Sequence, residues 1–219
     1  MGRSCNDEEA SPPSPPPTAT NEKKQHHFSS IIITNSIGMA LNGYIAGATG
    51  FLILLLLKIY GATIVNEHVQ AAFTYIFLAA YIVGEAGFGF LIDYIGRKKG
   101  LVIVASLILL GSIGSTSSNG TTPNQLVWLL IGFRVIIGIA QGGEYPCSAV
   151  STTESTAHIK AKRRGMIIIG TTYLMVAGGY IITAVVTVIL VAIFKDNLEP
   201  TWRLLVGLPI IPTAYILYC

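Results

Sequence analysis

Residues 84–100 read GEAGFGFLIDYIGRKKG, an apolar run that ends in an acid, a glycine and three basic residues before the next apolar run begins. Gly89 and Asp93 are four residues apart, so on a helix they lie on one face, one turn from each other. The following Gly96-Arg97-Lys98-Lys99 leaves room only for a very short turn. This stretch therefore predicts two consecutive helices joined by a tight basic turn.

Asp93 has two possible roles at this helix end. Its carboxylate can pair with an arginine of an adjacent element or cap the N-terminus of a neighbouring helix. The alternative is a solvated acid beside a basic loop. Glycines such as Gly89 allow a neighbouring helix backbone to approach closely.

Long apolar blocks extend outward from this stretch in both directions. Hydrophobic residues make up 52% of the chain and charged residues 11%, and the apolar residues are not arranged in stripes. A membrane-spanning helix needs about 20 apolar residues, and the alternation typical of barrel strands is missing. We predict an all-α integral membrane protein with six transmembrane helices, at about 31–57, 69–92, 101–117, 125–150, 166–194 and 204–219.

The first 28 residues differ in kind, because SPPSPPPTATNEKKQHH is rich in proline, serine and charge. We predict that residues 1–28 form a disordered tail and that residues 29–219 form the helical domain. No basic segment, short apolar core and small-residue cleavage site lead the chain, so we expect no cleaved signal peptide. Cys5, Cys147 and Cys219 are too scattered for a disulfide framework or a zinc site. We expect no metal and no cofactor.

Basic residues indicate the orientation, since cytoplasmic loops of membrane proteins carry the positive excess. The opposite loops hold few basic residues and one glycosylation acceptor pattern at Asn119. We predict that the N-terminus is cytoplasmic and that the protein lies in the plasma membrane. The net charge of +3 then reflects this topology and does not indicate nucleic-acid binding. The basic residues of the cytoplasmic face are Arg3, Lys23, Lys24, Arg97, Lys98, Lys99, Lys160, Lys162, Arg163 and Arg164.

A second motif reads RVIIGIAQGGEYP, from Arg134 to Pro146, and is followed by Glu154 and by Arg163-Arg164-Gly165. The stretch TWRLLVGLPIIP begins at Thr201. Together with Gly-x-x-x-Asp-x-x-Gly-Arg-Lys-Lys, these motifs resemble the major facilitator superfamily of transporters from about residue 36 to residue 219. The resemblance implies secondary active transport of a small solute rather than an enzyme activity.

The resemblance also implies that the chain is incomplete as a carrier. Members of this superfamily have two six-helix halves, each made of two inverted three-helix repeats, with the substrate site between the halves. This chain supplies one half. We expect a truncated half-carrier whose partner is the missing second half or a full-length carrier, within a lipid bilayer.

Within the superfamily, Gly-Gly-Glu-Tyr-Pro is similar to phosphate symporters and fungal glycerophosphoinositol (glycerophosphodiester) permeases. The resemblance implies an anionic phosphate or phosphate-ester substrate, coupled to protons, with a sugar or a carboxylate as the alternative. Two departures stand out. Met175 occupies the place of a glutamine in inorganic phosphate symporters, and Asn42 in Asn42-Gly43-Tyr44 replaces an aspartate and cannot exchange a proton.

Glu144 is the most informative residue of the second motif, because an ionisable group in a membrane helix is costly and usually faces water or a partner. We predict that it faces a central cavity and exchanges protons. The alternative is a permanent pair with Arg134 or with another helix. Ten residues of straight helix span about 15 Å, which excludes direct pairing of Glu144 with Arg134. Arg134 therefore either bonds to another helix or binds an anionic substrate.

Other candidate residues have an open role. Glu85 either lines the cavity or serves as a partner for a polar group of helix four or five. Tyr145 and Tyr44 either donate hydrogen bonds to a phosphate oxygen or pack in the core. The resemblance further implies a cytoplasmic gate formed by Gly89, Asp93, Gly96, Arg97, Glu154 and Arg164.

A different class of function also fits the sequence. The six helices could form a non-transporting membrane partner or a nutrient sensor derived from a carrier. An integral-membrane enzyme is not indicated, since the sequence has no histidine-rich metal cluster, nucleophile elbow or aspartyl pair.

Overall fold

A computed structural model describes residues 19–157, 160–195 and 197–218, with side chains from Ser30 onward except that of Arg97. Within these residues, six segments are long and apolar enough to cross a membrane. The prediction of an all-α protein with six membrane-spanning segments is therefore confirmed. The spans are Ser30–Tyr60, Glu67–Ile95, Lys98–Thr116, Pro123–Ser155, Ala161–Phe194 and Leu198–Tyr218.

Eight α-helices and one π-helical turn build these spans in the described part of the chain. The first four spans are single helices, whereas a π-helical turn divides the fifth and a short break divides the sixth. The helices are α1 Ala19–Tyr60, α2 Glu67–Ile95, α3 Arg97–Thr116, α4 Pro123–Ser155, α5 Ala161–Ile169, α6 Met175–Phe194, α7 Leu198–Gly207 and α8 Ile210–Tyr218, with the π turn at Gly170–Leu174.

The observed helices begin before the predicted apolar blocks, because their first turns contain polar residues that lie outside those blocks. Asn66 accepts a hydrogen bond from the Val69 amide at 2.9 Å and caps α2, and Thr122 caps α4 in the same way. Helix α1 begins at Ala19, inside the stretch predicted as a tail. Residues 1–18 of that tail lie outside the described residues, so their disorder stays a prediction.

The turn between α2 and α3 consists of Gly96 alone, as the tight basic turn predicts. Gly96 has φ 86° and ψ 153°, a conformation that residues with a Cβ rarely adopt. Its amide donates to the Ile92 carbonyl, and its own carbonyl accepts from the Gly100 amide. A glycine is therefore required at this position.

Helix α4 lies at the centre of the bundle, and glycines set its distance from α2. A Cβ at Gly142 would collide with the Tyr81 carbonyl oxygen, and one at Gly84 would collide with the backbone of Ile139. Such close approach provides the van der Waals contact that holds helices together in lipid. Gly89 does not contribute, because among the described residues nothing lies within 4 Å of its Cβ position. Gly89 lies on the exposed side of α2, so the close approach of another helix at this residue stays a prediction.

Helix α1 packs against the fifth span through a second pair of glycines. A Cβ at Gly43 would collide with the Val176 carbonyl, and one at Gly179 with the Ala40 carbonyl. The Thr183 hydroxyl reinforces this contact by donating to the Tyr44 carbonyl at 2.9 Å. Helices α1 and α4 also contact each other, through hydrogen bonds between Asn42 and Gln141.

Positive side chains concentrate where α2 and α4 end and where α3 and α5 begin. We refer to this end of the bundle as the basic end. Its exposed basic residues are Lys98, Lys99, Lys160, Lys162 and Arg163.

Candidate functional site

The Glu144 carboxyl group lies in the interior of the bundle, between α4 and α1. Its side chain is only 5% exposed. A Cβ at Gly38 would collide with Glu144 Oε1, so α1 comes very close here. The Asn42 side chain is a hydrogen-bonding neighbour of the carboxyl group. Among the described residues, Oε2 has no hydrogen-bond partner and no cation pairs with the carboxylate.

Asn42 and Gln141 join α1 to α4 next to this carboxyl group. Asn42 Nδ2 donates to the Gln141 carbonyl at 3.1 Å, and Gln141 Nε2 donates to the Asn42 carbonyl at 3.0 Å. Both side chains are buried. Asn42 therefore holds the helix pair in register beside Glu144, which is a structural task that an amide performs without exchanging a proton.

Arg134 is buried on the same helix, nearer the end opposite the basic end. Its Nη1 donates to Thr49 Oγ1 of α1 at 2.9 Å. Within the described part of the chain, its Nε has no partner and no carboxylate pairs with it. Arg134 was expected to bond either to another helix or to an anionic substrate, and the structure shows a bond to another helix, α1.

An exposed face beside Glu144 carries an acid and four tyrosines. Glu85 of α2 lies near Tyr81 and Tyr145. Tyr145 of α4 is hydrogen-bonded to Tyr173 of the π turn, and Tyr180 of α6 lies near Tyr81. Tyr173 is 65% exposed and Tyr180 is 48% exposed. We call these five residues the tyrosine face, and they present hydroxyl donors on the surface of the bundle.

The predicted site residues thus fall into distinct places. The structure brings Glu144 and Asn42 together in the interior, next to Gly38, and Glu85 and Tyr145 together on the tyrosine face. Tyr44 lies elsewhere: it is 5% exposed, and its hydroxyl donates to the Leu205 carbonyl at 3.0 Å. That contact favours the packing role for Tyr44.

The predicted gate residues lie at the basic end. Asp93 and Glu154 are exposed, and Arg164 is half-buried at the start of α5. Gly96 forms the turn between α2 and α3. The Arg97 side chain lies outside the described residues, so the charge cluster stays a prediction.

Several polar residues that the motifs did not single out belong to the same region. Gln141 immediately precedes the two glycines of the second motif, and an amide in an apolar run could have identified it. Asn35 donates to Thr152 Oγ1 at 3.0 Å and to the Ser148 carbonyl at 3.4 Å, which ties α1 to α4 nearer the basic end. Across the described ranges, no three His, Cys, Asp or Glu side chains are placed to hold a metal ion.

The chain matches the family of sugar (and other) transporters over residues 31–219. It is 28% identical to glycerophosphoinositol transporter 1 of Saccharomyces cerevisiae, over 78% of this chain and 34% of that protein. It is 30% identical to a glycerophosphodiester transporter of Candida albicans, over 81% of this chain and 34% of that protein. The chain thus spans about a third of the length of these relatives.

The fold is similar to that of the xylose transporter XylE from E. coli, with a TM-score of 0.69 and 21% identity. The match covers 87% of this chain and 47% of that one. XylE is a proton:xylose symporter of the major facilitator superfamily. The six helices therefore have the fold of one half of such a transporter.

Proposed function

As the chain belongs to the sugar (and other) transporter family, within the major facilitator superfamily, we propose that it forms one half of a proton-coupled secondary carrier for an anionic phosphate or a phosphate ester. The names of its relatives support a glycerophosphodiester-like substrate. These relatives are transporters rather than enzymes, and the six spans make the chain a multi-pass integral membrane protein.

The buried Glu144 carboxyl group carries the proposal. A charged side chain in the interior of a membrane protein is expensive and usually serves a pathway or a proton relay. Here no cation among the described residues offsets that cost. A proton does so when it binds, because it removes the charge. Glu144 is therefore the proton acceptor of this half.

Coupling follows from charge repulsion. An anionic phosphate next to an ionised Glu144 is repelled, so the anion binds when the carboxyl group is protonated. Asn42 cannot share this duty, and Glu85 on the tyrosine face is the reserve acceptor. Tyr145 and Tyr173 supply hydroxyl donors for phosphate oxygens on that face.

The tyrosine face needs a second six-helix half, because a carrier of this superfamily binds its substrate between two halves. That half belongs either to more of this polypeptide or to a full-length carrier. The basic end faces the cytoplasm by the positive-inside rule, with the plasma membrane as host. Asp93, Arg97, Glu154 and Arg164 then close the cytoplasmic side as a charge cluster.

A chimaeric carrier tests the proposal. Residues 31–219 replace the matching segment of the Saccharomyces cerevisiae glycerophosphoinositol transporter, and uptake of glycerophosphoinositol, inorganic phosphate and xylose is measured in cells that lack that transporter. We expect phosphate-ester uptake driven by an inward proton gradient. Uptake of xylose alone would contradict the substrate class. The 219-residue chain reconstituted alone should give no uptake, and uptake above background would contradict the need for a second half.

Glu144→Gln in this chimaera separates binding from coupling. The neutral amide mimics the protonated acid, so substrate exchange should persist while accumulation driven by the pH gradient is lost. Glu67→Gln is the matched control, because Glu67 is exposed at the start of α2, and it should change neither. If Glu144→Gln still concentrates substrate, coupling belongs to Glu85 or to the second half.

A further inference from the structure

Glu85 is an exposed acid on the tyrosine face, the surface proposed to bind an anionic substrate. It follows Tyr81 by four residues, so both side chains lie on one face of α2. Both residues pack through their backbone against Gly142 of α4, where a Cβ would meet the Tyr81 carbonyl oxygen and, at 2.8 Å, the Glu85 amide nitrogen. Tyr145 follows Gly142 by three residues and lies near Tyr81 and Glu85. A close contact between two helix backbones therefore fixes Glu85 beside Tyr145.

The tyrosine hydroxyl groups lie near this carboxylate and near one another. The Tyr145 hydroxyl is hydrogen-bonded to that of Tyr173, and Tyr81 lies near both Glu85 and Tyr180. The Tyr180 ring packs on α1. A hydroxyl group both donates and accepts hydrogen bonds. The face therefore matches a ligand that has hydroxyl groups of its own.

The helices that carry this face supply few basic side chains. In the described part of the chain, α2, the π turn and α6 contain no lysine and no arginine. Arg134 of α4 precedes Tyr145 by eleven residues, about 16 Å along a helix, and it bonds to α1. Arg164 of α5 precedes Tyr173 by nine residues, about 13 Å along a helix. No cation of these helices, as far as the structure describes them, offsets the charge of Glu85.

An ionised carboxylate has opposite effects on the two parts of a phosphate ester. It repels the phosphate group, because both groups are negatively charged. It attracts the hydroxyl groups of the alcohol part, because hydrogen bonds to a charged acceptor are about twice as strong as those between neutral groups. A phosphate ester on this face therefore turns its hydroxyl groups toward Glu85 and its phosphate group toward Tyr173 and the second half.

We infer that Glu85 determines substrate specificity: its carboxylate accepts hydrogen bonds from the free hydroxyl groups of the alcohol and thereby selects phosphate esters of a polyol. Inorganic phosphate and esters of alcohols without further hydroxyl groups bind less well. The inference rests on the proposed function, and it assigns Glu85 an ionised state during substrate binding in place of the role of reserve proton acceptor.

A quaternary ammonium group is the other ligand chemistry that a carboxylate among aromatic rings attracts. It has no hydrogen to donate, so it would leave the carboxylate and the tyrosine hydroxyl groups without hydrogen bonds when the second half covers the face. Unmade hydrogen bonds of buried groups cost free energy. The hydroxyl groups of the tyrosine face therefore favour a polyol.

Equilibrium dialysis of three labelled compounds against the purified chimaera in lipid nanodiscs tests this role. Glycerol 3-phosphate and propyl phosphate have the same charge and differ only in hydroxyl groups, and phosphocholine carries the quaternary ammonium group. The unmodified chimaera should bind glycerol 3-phosphate about tenfold to a hundredfold more tightly than propyl phosphate, the effect of a hydrogen bond to a charged group. In Glu85→Gln, glycerol 3-phosphate should bind about tenfold more weakly. Propyl phosphate should bind more tightly, because the repulsion is lost.

These opposite directions separate a specificity role from a structural defect, which would weaken the binding of both esters. Tyr173→Phe should weaken both esters alike, since it removes a donor to the phosphate group. Glu67→Gln, at an exposed position at the start of α2, should change neither. Unchanged affinities in Glu85→Gln, an equal loss of both esters, or a loss confined to phosphocholine would each overturn the inference and leave the proposed carrier standing. If the unmodified chimaera bound none of the three compounds, the proposed substrate class would be refuted as well.

Discussion

Substitution of Gly142 by alanine tests the seam that positions Glu144. The new Cβ would meet the Tyr81 carbonyl oxygen and, at 2.8 Å, the Glu85 amide nitrogen. Both atoms are backbone, so no side-chain rotation relieves the contact. Gly132→Ala is a matched control on the same helix, since nothing among the described residues lies within 4 Å of its Cβ position.

The two substitutions should change the free energy of unfolding in opposite directions. Replacing a helical glycine by alanine stabilises a helix by up to about 1 kcal/mol, and Gly132→Ala should gain that amount. At Gly142 the same gain is offset by overpacking, which costs about 1–3 kcal/mol. The free energies of unfolding of the two variants should therefore differ by about 1–3 kcal/mol, which corresponds to roughly 2–12 °C in Tm for a chain of this size.

Thermal unfolding of the two variants in detergent micelles, followed by circular dichroism, measures this difference. Gly142→Ala should also weaken the contact between Tyr145 and the α2 residues Tyr81 and Glu85, because α2 must move away from α4. In the chimaera it should therefore reduce uptake, whereas Gly132→Ala should not. Equal Tm values for the two variants would refute the close α2–α4 seam.

Three further changes test other parts of the bundle. Gly96→Ala should destabilise the chain by about 1–3 kcal/mol because φ is positive there, whereas Gly178→Ala, in an open helical position, should not; unfolding in detergent checks both. A double-mutant cycle with Asn42→Leu and Gln141→Leu should give a coupling free energy of about 1 kcal/mol, and additive effects would contradict the reciprocal pair. Asp93→Asn should cut uptake by the chimaera while membrane insertion, checked by fractionation, is unchanged; normal uptake would contradict the gate.

The number of helices and the α2–α3 turn could be predicted from the sequence because both depend on local properties. A span requires only length and apolar composition, and a glycine between an acid and three basic residues is enough to place a turn. The break of the fifth span at Gly170–Leu174 could not be predicted, because the π turn leaves the apolar run uninterrupted. Helical spacing likewise could not show that Gly84 and Gly142 are glycines at which the backbones of α2 and α4 meet.

The sequence predicts that Glu144 is buried but not which helices surround it. An acid beside two glycines and a proline indicates a buried functional group, but the sequence does not show which helices enclose it. The structure adds that Glu144 contacts α1 at Gly38 and that its side chain also lines a small cavity bordered by α3 and α8. Tyr81 and Tyr173 could not be predicted from the sequence, because nothing in an apolar helix shows which of its tyrosines lie near Tyr145.

Helix α4 carries two buried side chains of opposite charge, Arg134 and Glu144, and each of them contacts neutral groups of α1. Arg134 donates to the Thr49 hydroxyl, and Glu144 lies against Gly38 beside the Asn42 amide. Neither charge is neutralised within the described part of this half, so the stability of the α1–α4 pair depends on whether Glu144 holds a proton. Because α1 also packs on the fifth span through Gly43 and Gly179, α1 connects Glu144 to α6, which directly follows the π turn. We propose that protonation of Glu144 alters in this way the face that carries Tyr145 and Tyr173, as the proposed coupling between proton and anion requires.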